Sequence, residues 1–207
     1  MEKNELINGC FLVIGFGGTG KRFAANLKHE FAVCDIDILY TGSNPKSLTN
    51  CQDYNMYFQL DEIKNKKYKI IYIGVPTSEH LNYANALFDN TDLFIIEKPM
   101  DSELAKCEIF KRNSGIQNKK VFLNFQKRFL SSWSMAKKLI IENKSFGNFQ
   151  YGNVKVKSYL PVWRDRNYID MYAAKKNLGG GVILTECHEI DLIQWLLGDI
   201  RNISAIS

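Results

Sequence analysis

The nine residues IGFGGTGKR at 14–22 constrain this chain more than any other stretch. They set Gly15, Gly17 and Gly20 at GxGxxG spacing, with the apolar run CFLVIG (10–15) before them and an amphipathic segment after them. That strand–turn–helix setting is the context in which the spacing carries meaning. Each glycine meets a separate demand. Gly15 permits a tight turn, Gly17 lets backbone amides approach a diphosphate, and Gly20 lets the helix pack closely on the strand, while the helix N-terminus adds positive potential. Phe16, Gly18 and Thr19 complete the loop and fall within the same candidate dinucleotide site. A glycine-rich βα turn with no ligand is the alternative reading of the same spacing.

The pattern continues beyond the loop. Short apolar runs, CFLVIG (10–15), DILYTG (37–42), KIIYIG (69–74), DLFIIE (92–97) and KVFLNF (120–125), alternate with longer segments of helical period. Runs that are nearly all apolar suit parallel strands covered by helices on both faces. The segment from Ser78 to Phe88 aligns Leu81, Ala84 and Leu87 on one side with Ser78 placed to cap it, and Ser102 to Arg112 aligns Leu104, Cys107 and Phe110. Right-handed crossovers then give an α/β fold, a Rossmann doubly wound parallel sheet over residues 1–125. From 126 to 207 the texture changes. A helical stretch near Met135 to Glu142 precedes NFQYGNVKVKSYL (148–160), whose alternation predicts a half-exposed antiparallel strand. A polar aromatic loop, three glycines (Gly179 to Gly181), an apolar helix through Trp195 and a strand-like ISAIS follow, so the expectation is a partial α+β domain with an antiparallel sheet.

Composition narrows the partners. With 45% hydrophobic and 24% charged residues, the chain has the make-up of a globular protein rather than a disordered one. The net charge of +5 comes from scattered lysines, with no run that marks an arm for nucleic acid or membrane, and favours an anionic small molecule. No apolar stretch is long enough to span a bilayer and the start MEKNELING lacks a signal core, so the expected location is the cytoplasm. The five cysteines are widely spaced without a CxxC pair and read as reduced thiols, and no metal site is expected.

The cofactor's ribose poses a harder question. NAD sites offer an acid at the end of the second strand, about 20 residues past the glycines. Here that strand ends in Tyr40, Thr41, Gly42, Ser43 and Asn44, while Asp35 and Asp37 lie at its start, on the wrong edge. The missing acid and nearby Lys46 lean toward NADP. The alternative is that Ser43 or Asn44 bonds an NAD ribose directly.

Three further motifs, GVPTSEH (74–80), IIEKPM (95–100) and GGG leading into HEID (179–191), occur in an order that resembles the glucose-fructose oxidoreductase and inositol dehydrogenase family. The helix ending in Trp195, Leu196, Leu197 and Gly198 is similar to the branch associated with surface sugars. Pro99 independently keeps Lys98 extended at the carboxyl end of a buried strand, the edge where open α/β sheets bind ligands. The resemblance implies that Lys98 contacts substrate near the nicotinamide, and that Pro76, Thr77, His80 and Glu97 line the cofactor, although His80 also reads as a capping or packing residue. His188 and Asp191, three apart on one helical face, suit a general base oriented by a carboxylate, and the resemblance makes His188 that base. It also places Asn124, Lys127 and Arg128 near substrate. Trp163, Arg164 and Arg166 suit stacking and bidentate bonding to an anionic sugar.

One departure stands out. Many family members carry an aspartate between the glycines and the histidine, where this chain has Thr185, followed by Glu186. The resemblance also implies a longer chain whose open antiparallel sheet forms the substrate wall. Two strands alone leave an exposed edge, so a shortened chain, a natural short paralogue or a fragment completed by association is expected, with self-association into a homo-oligomer. The sequence thus supports a nicotinamide-dependent oxidoreductase acting on a sugar or nucleotide sugar, or alternatively a non-catalytic dinucleotide binder.

Overall fold

The computed structural model describes residues 9–33, 35–43, 48, 51–165 and 167–206. These divide into two compact units: residues 9–124 with Lys176–Gly179, and Phe125–Lys175 with residues 180–206.

The first unit is an α/β Rossmann fold. Its strands β1 (Phe11–Ile14), β2 (Ile36–Leu39), β3 (Asn55–Tyr57), β4 (Ile70–Ile73), β5 (Leu93–Ile96) and β6 (Lys120–Leu123) form one parallel sheet in the order β3-β2-β1-β4-β5-β6. The chain winds outward from β1 to β3, then restarts beside β1 with β4. That reversal opens a crevice at the carboxyl ends of β1 and β4. Helices α1 (Gly18–Phe31), α2 (His80–Ala86) and α3 (Leu104–Ile116) complete the unit.

Both faces of the sheet are core, which is why the strand sequences are apolar without alternation. Leu12, Ile14, Leu39, Ile71, Ile73, Phe94 and Ile96 pack with Leu81, Ala84 and Leu87 around α2 and with Phe110 of α3. Phe11, Val13, Ile36, Ile38, Ile70 and Tyr72 pack with Ala24 and Leu27 of α1. Phe23 stacks on Tyr72 with ring centroids 4.2 Å apart.

Several local expectations change. The second strand stops at Leu39, so Tyr40 to Gly42 lie beyond the ladder. β3 was not expected. It is three residues long and half exposed, too short to leave an apolar run. Ser78 falls inside a 3₁₀ turn, Thr77–Glu79, and makes no capping bond.

The second unit is helical and irregular: α4 (Ser131–Lys137), which runs on into a π-helical turn at Lys138–Glu142, α5 (Val182–Thr185) and α6 (His188–Leu197) are linked by 3₁₀ turns and irregular chain. The antiparallel strand expected over 148–160 does not form, nor does a strand at ISAIS among the described residues. Alternation is only half of a strand's requirement, because backbone groups need a neighbouring strand to bond. Residues 149–159 are exposed on both alternating sets, so no face of this segment is buried.

Candidate functional site

The glycine loop stands at the carboxyl end of β1, on the ligand-binding edge of the sheet. Gly15 takes φ +85°, and a Cβ there would sit 2.7 Å from the Gly74 carbonyl oxygen. A Cβ on Gly20 would lie 2.0 Å from the Gly15 oxygen, so α1 could not pack where it does with any side chain at that position. Gly17 differs, since nothing lies within 4 Å of where its Cβ would be. It is the N-cap of α1, and no side chain caps that helix or puts an acid in its first turn. The result is an open concavity edged by main-chain N–H groups and the helix N-terminus, a fit for a diphosphate. Phe16 is buried against Tyr54, with ring centroids 5.6 Å apart, and supports the loop from behind.

Beside this loop, the ends of β4 and β5 are tied together. His80 is 1% exposed; its Nδ1 lies 2.8 Å from the Pro99 carbonyl oxygen and its Nε2 2.9 Å from that of Val75. Burial lowers the pKa of the ring, partly offset by these two carbonyls. Of the two readings of His80, lining the cofactor or packing, its burial and backbone contacts suit the second. Both ring nitrogens face backbone carbonyls, that of Val75 in the loop after β4 and that of Pro99, and the neutral ring donates to one of them. Thr77 is buried, and Gly179 presses on it: a Cβ at Gly179 would fall 2.5 Å from the Thr77 Cβ. Pro76 is half buried beside it.

Lys98 is half buried at the end of β5, joined to Pro99 by a cis peptide. Its neighbour Glu97 is buried, and one carboxylate oxygen accepts from the Tyr72 hydroxyl and from Asn124 Nδ2, each at 2.7 Å. Tyr72 also hydrogen-bonds the Thr19 side chain of the glycine loop. Burial, with Glu97 close by, raises the phenol's pKa well above its ordinary value. Glu97 and Asn124 were expected to line cofactor and substrate; the structure makes them partners of each other across two strand ends.

A second group of candidates gathers within the other unit. His188 begins α6 and is buried, with the Phe125 ring edge-on at 6.0 Å. Asp191, expected to orient His188, instead forms a bidentate pair with Arg128, whose Nε donates to Oδ2 at 2.8 Å and whose Nη2 donates to Oδ1. The next residue back, Lys127, pairs with Glu189. Arg128, expected to meet substrate, thus anchors the 126–129 turn to α6, and its guanidinium lies 5.6 Å from the Phe125 ring centroid. Thr185 is buried and its hydroxyl donates to the Gly181 carbonyl at 2.7 Å, so it supplies helix backbone bonding in place of the expected charge. Glu186 and Trp163 line one cavity of about 350 Å³ with Lys157 and Val182. The Trp163 indole N–H donates to Ser158 Oγ, and Arg164 is exposed. Ser43 is exposed, while Asn44, Lys46 and Arg166 lie outside the described residues.

On the opposite edge of the sheet, Cys10, Asp35 and Asp37 place their ligand-type atoms within 4.8 Å of one another. Asp37 is fully buried and accepts from Lys66 at 2.8 Å, from Tyr68 at 3.0 Å and from Asn55 at 3.0 Å. Burial and these acids push the Cys10 thiol up to about 12. The cluster is an internally satisfied hydrogen-bond network with a protonated thiol. None of Cys10, Cys51, Cys107 and Cys187 is in a disulfide. No helix among the described residues is long and apolar enough to cross a membrane.

Comparison with known proteins bears on this arrangement. A family model described as an oxidoreductase family with an NAD-binding Rossmann fold matches residues 10–125. Among solved structures, the chain is similar to a myo-inositol 2-dehydrogenase from Lactobacillus plantarum, at 24% identity and TM-score 0.69, covering 92% of this chain and 56% of that one. It is also similar to the WlbA dehydrogenase of Thermus thermophilus solved with NAD and UDP-GlcNAcA, at 15% identity and TM-score 0.69, covering 91% and 62%. An NAD-binding protein from Listeria innocua matches at 16% identity and TM-score 0.68, covering 90% and 54%. The chain thus spans 54% to 62% of the length of these three structures.

Proposed function

Since the chain belongs to the glucose-fructose oxidoreductase and inositol dehydrogenase family of oxidoreductases with an NAD-binding Rossmann fold, we propose that it moves a hydride between a nicotinamide dinucleotide, NAD(H) or NADP(H), and a hydroxyl-bearing carbon of a sugar or nucleotide sugar, in the making of a surface polysaccharide or glycan. The observation that carries this reading is the open main-chain concavity at Gly17 on the same sheet edge as Lys98. Gly15 to Gly20 and the N-terminus of α1 hold the diphosphate, and Pro76 and Thr77 border the dinucleotide. The bound nicotinamide supplies the two-electron acceptor or donor.

The chain's own residues supply charge and protons. Lys98 polarises the substrate oxygen, and a ring nitrogen of His188 takes the hydroxyl proton on oxidation and returns it on reduction. Asp191 and Arg128 hold α6 in place beneath His188. Asn124 fixes Glu97 and thereby the Lys98 backbone. Trp163 and Arg164 meet the sugar by stacking and by bonding its anionic group. The substrates of the similar structures, a nucleotide sugar acid and an inositol, are the first to assay.

A second reading has one observation in its favour. Thr185 bonds its own helix backbone and brings no charge to the position where the family resemblance implies an aspartate. On that reading the chain binds a dinucleotide without catalysis. Turnover separates the two. Conversion of a nucleotide sugar, falling at least about 100-fold in Lys98→Ala and in His188→Ala while NADH or NADPH binding is retained, is the expected result. Cofactor binding with no conversion of any nucleotide sugar or polyol tested would establish the binder.

A further inference from the structure

A glycine stands in this chain where dinucleotide-binding sheets place an acid. That acid bonds the 2′-hydroxyl of an NAD ribose, and its charge repels a 2′-phosphate. From Tyr40 to Asn50 the sequence YTGSNPKSLTN holds no aspartate or glutamate. The structure shows what has replaced it. A Cβ built on Gly42 would lie 2.4 Å from the Tyr40 hydroxyl oxygen and 2.6 Å from the carbon bearing it. The phenol of Tyr40 therefore fills the volume that a side chain at residue 42 would use. Tyr40 is only 9% exposed, and Phe58 meets its ring edge-on at 6.2 Å, so the ring cannot swing aside at no cost.

This corner opens onto a pocket of about 490 Å³ at the carboxyl edge of β2. Tyr40, Thr41 and Gly42 make one wall, and Phe58 and Gln59 a second. Glu79 and Asn82 belong to a third wall, on the turn after β4 and on α2, where the Glu79 carboxylate accepts from Asn82 Nδ2 at 3.0 Å. Among the described residues, the β2 wall thus offers hydroxyl groups and no carboxylate. A hydroxyl can donate to a ribose oxygen or to a phosphate oxygen, and the bond to the charged group is the stronger.

We propose that Tyr40, packed under Gly42, takes the place of the ribose-reading acid and makes this the pocket of a 2′-phosphorylated dinucleotide, so that the protein uses NADP(H) in preference to NAD(H). The inference rests on the dinucleotide reading given above. Titration of the full chain with NADPH and with NADH, followed by dihydronicotinamide fluorescence, tests the two separately. Binding of neither overturns the dinucleotide reading itself. Binding of both, with NADPH tighter by roughly tenfold or more, is expected; equal affinity or tighter NADH overturns the present inference and leaves the broader one standing.

Two variants locate the cause. Tyr40→Phe keeps the buried ring and loses the hydroxyl, and is expected to weaken NADPH several-fold more than NADH. Tyr40→Ala with Gly42→Asp clears the space and installs the acid, and is expected to reverse the order of affinities. If Tyr40→Phe leaves the NADPH-to-NADH ratio unchanged, the phenol is not the determinant, whatever the fate of the double variant.

Discussion

Gly17, the N-cap of α1, and Gly20, in its first turn, lie three residues apart, and the space around them differs completely. A methyl group at Gly20 would collide with backbone, whereas one at Gly17 would meet nothing within 4 Å. Gly20→Ala is therefore expected to lower the unfolding free energy by about 3 kcal/mol, as overpacking against an unyielding neighbour does. Gly17→Ala is expected to leave stability within about 0.5 kcal/mol of the parent and to weaken NADPH and NADH alike by roughly tenfold, since the methyl enters the space meant for the diphosphate. Urea unfolding and fluorescence titration on the same pair of variants check both halves. His80 allows a test in pH. Burial holds its pKa below the ordinary value near 6.5, so the folded chain prefers the neutral ring. The unfolded chain protonates first as pH falls, so this contribution is whole above about pH 6.5 and drains away below it, by up to about 1.4 kcal/mol per pH unit, until the lowered folded value is reached. The melting temperature should decline from pH 7 to pH 5.5, and the decline should be shallower in His80→Gln.

Among the elements, α6 and the 126–129 turn offer the clearest case. Asp191 is buried, and Arg128 spans both of its oxygens. Arg128→Ala would leave a carboxylate with little water and no guanidinium, at a cost of about 2 kcal/mol, reduced from the fully buried case because Arg128 is itself partly exposed. Replacing Asp191 with Asn in the same chain should recover part of that loss, measured by urea unfolding. β1, β2 and β4 were legible because burial on both faces leaves a run of apolar residues that no helix period imitates, and the half-exposed β5 and β6 carry apolar runs of the same length. β3 left no such trace. The segment 148–160 misled for the converse reason: its alternation is real, but a strand exists only where another lies beside it. The pairing of His188 with Asp191 was read from their i, i+3 spacing alone; the rival partner, Arg128, is 63 residues away in sequence, beyond any local pattern. Tyr40 and Gly42 were closer to hand, since residues two apart in extended chain share a face, and that spacing could have shown the phenol's reach.

At the scale of the molecule, much apolar side-chain area faces outward. In the first unit Leu104, Ile109 and Ile116 on α3 and Phe122 on β6 are each more than half exposed, and β6 is an edge strand. In the second, Phe129, Phe146 and Tyr151 are more exposed still, and Tyr159 is comparably exposed. Surfaces of this kind drive association in water. Sedimentation at micromolar concentration is expected to show species larger than the monomer, and Phe122→Lys to shift the distribution toward it. The parallel sheet and its glycine loop followed from sequence alone, because local motif and global fold agree there. The second unit did not, since its described residues hold no sheet to which the alternating ones could belong.

The buried carboxylate of Glu97 reaches further than its own position. A phenol from β4 and an amide from just past β6 converge on a single oxygen, and the same phenol touches the threonine of the phosphate turn. Neighbouring strand tips are thereby strung on one polar thread whose middle, Tyr72 and Glu97, is buried. Moving any tip would leave a buried carboxylate short of a partner, so the tips shift together or not at all, and the lysine that follows inherits its heading from three distant stretches of backbone.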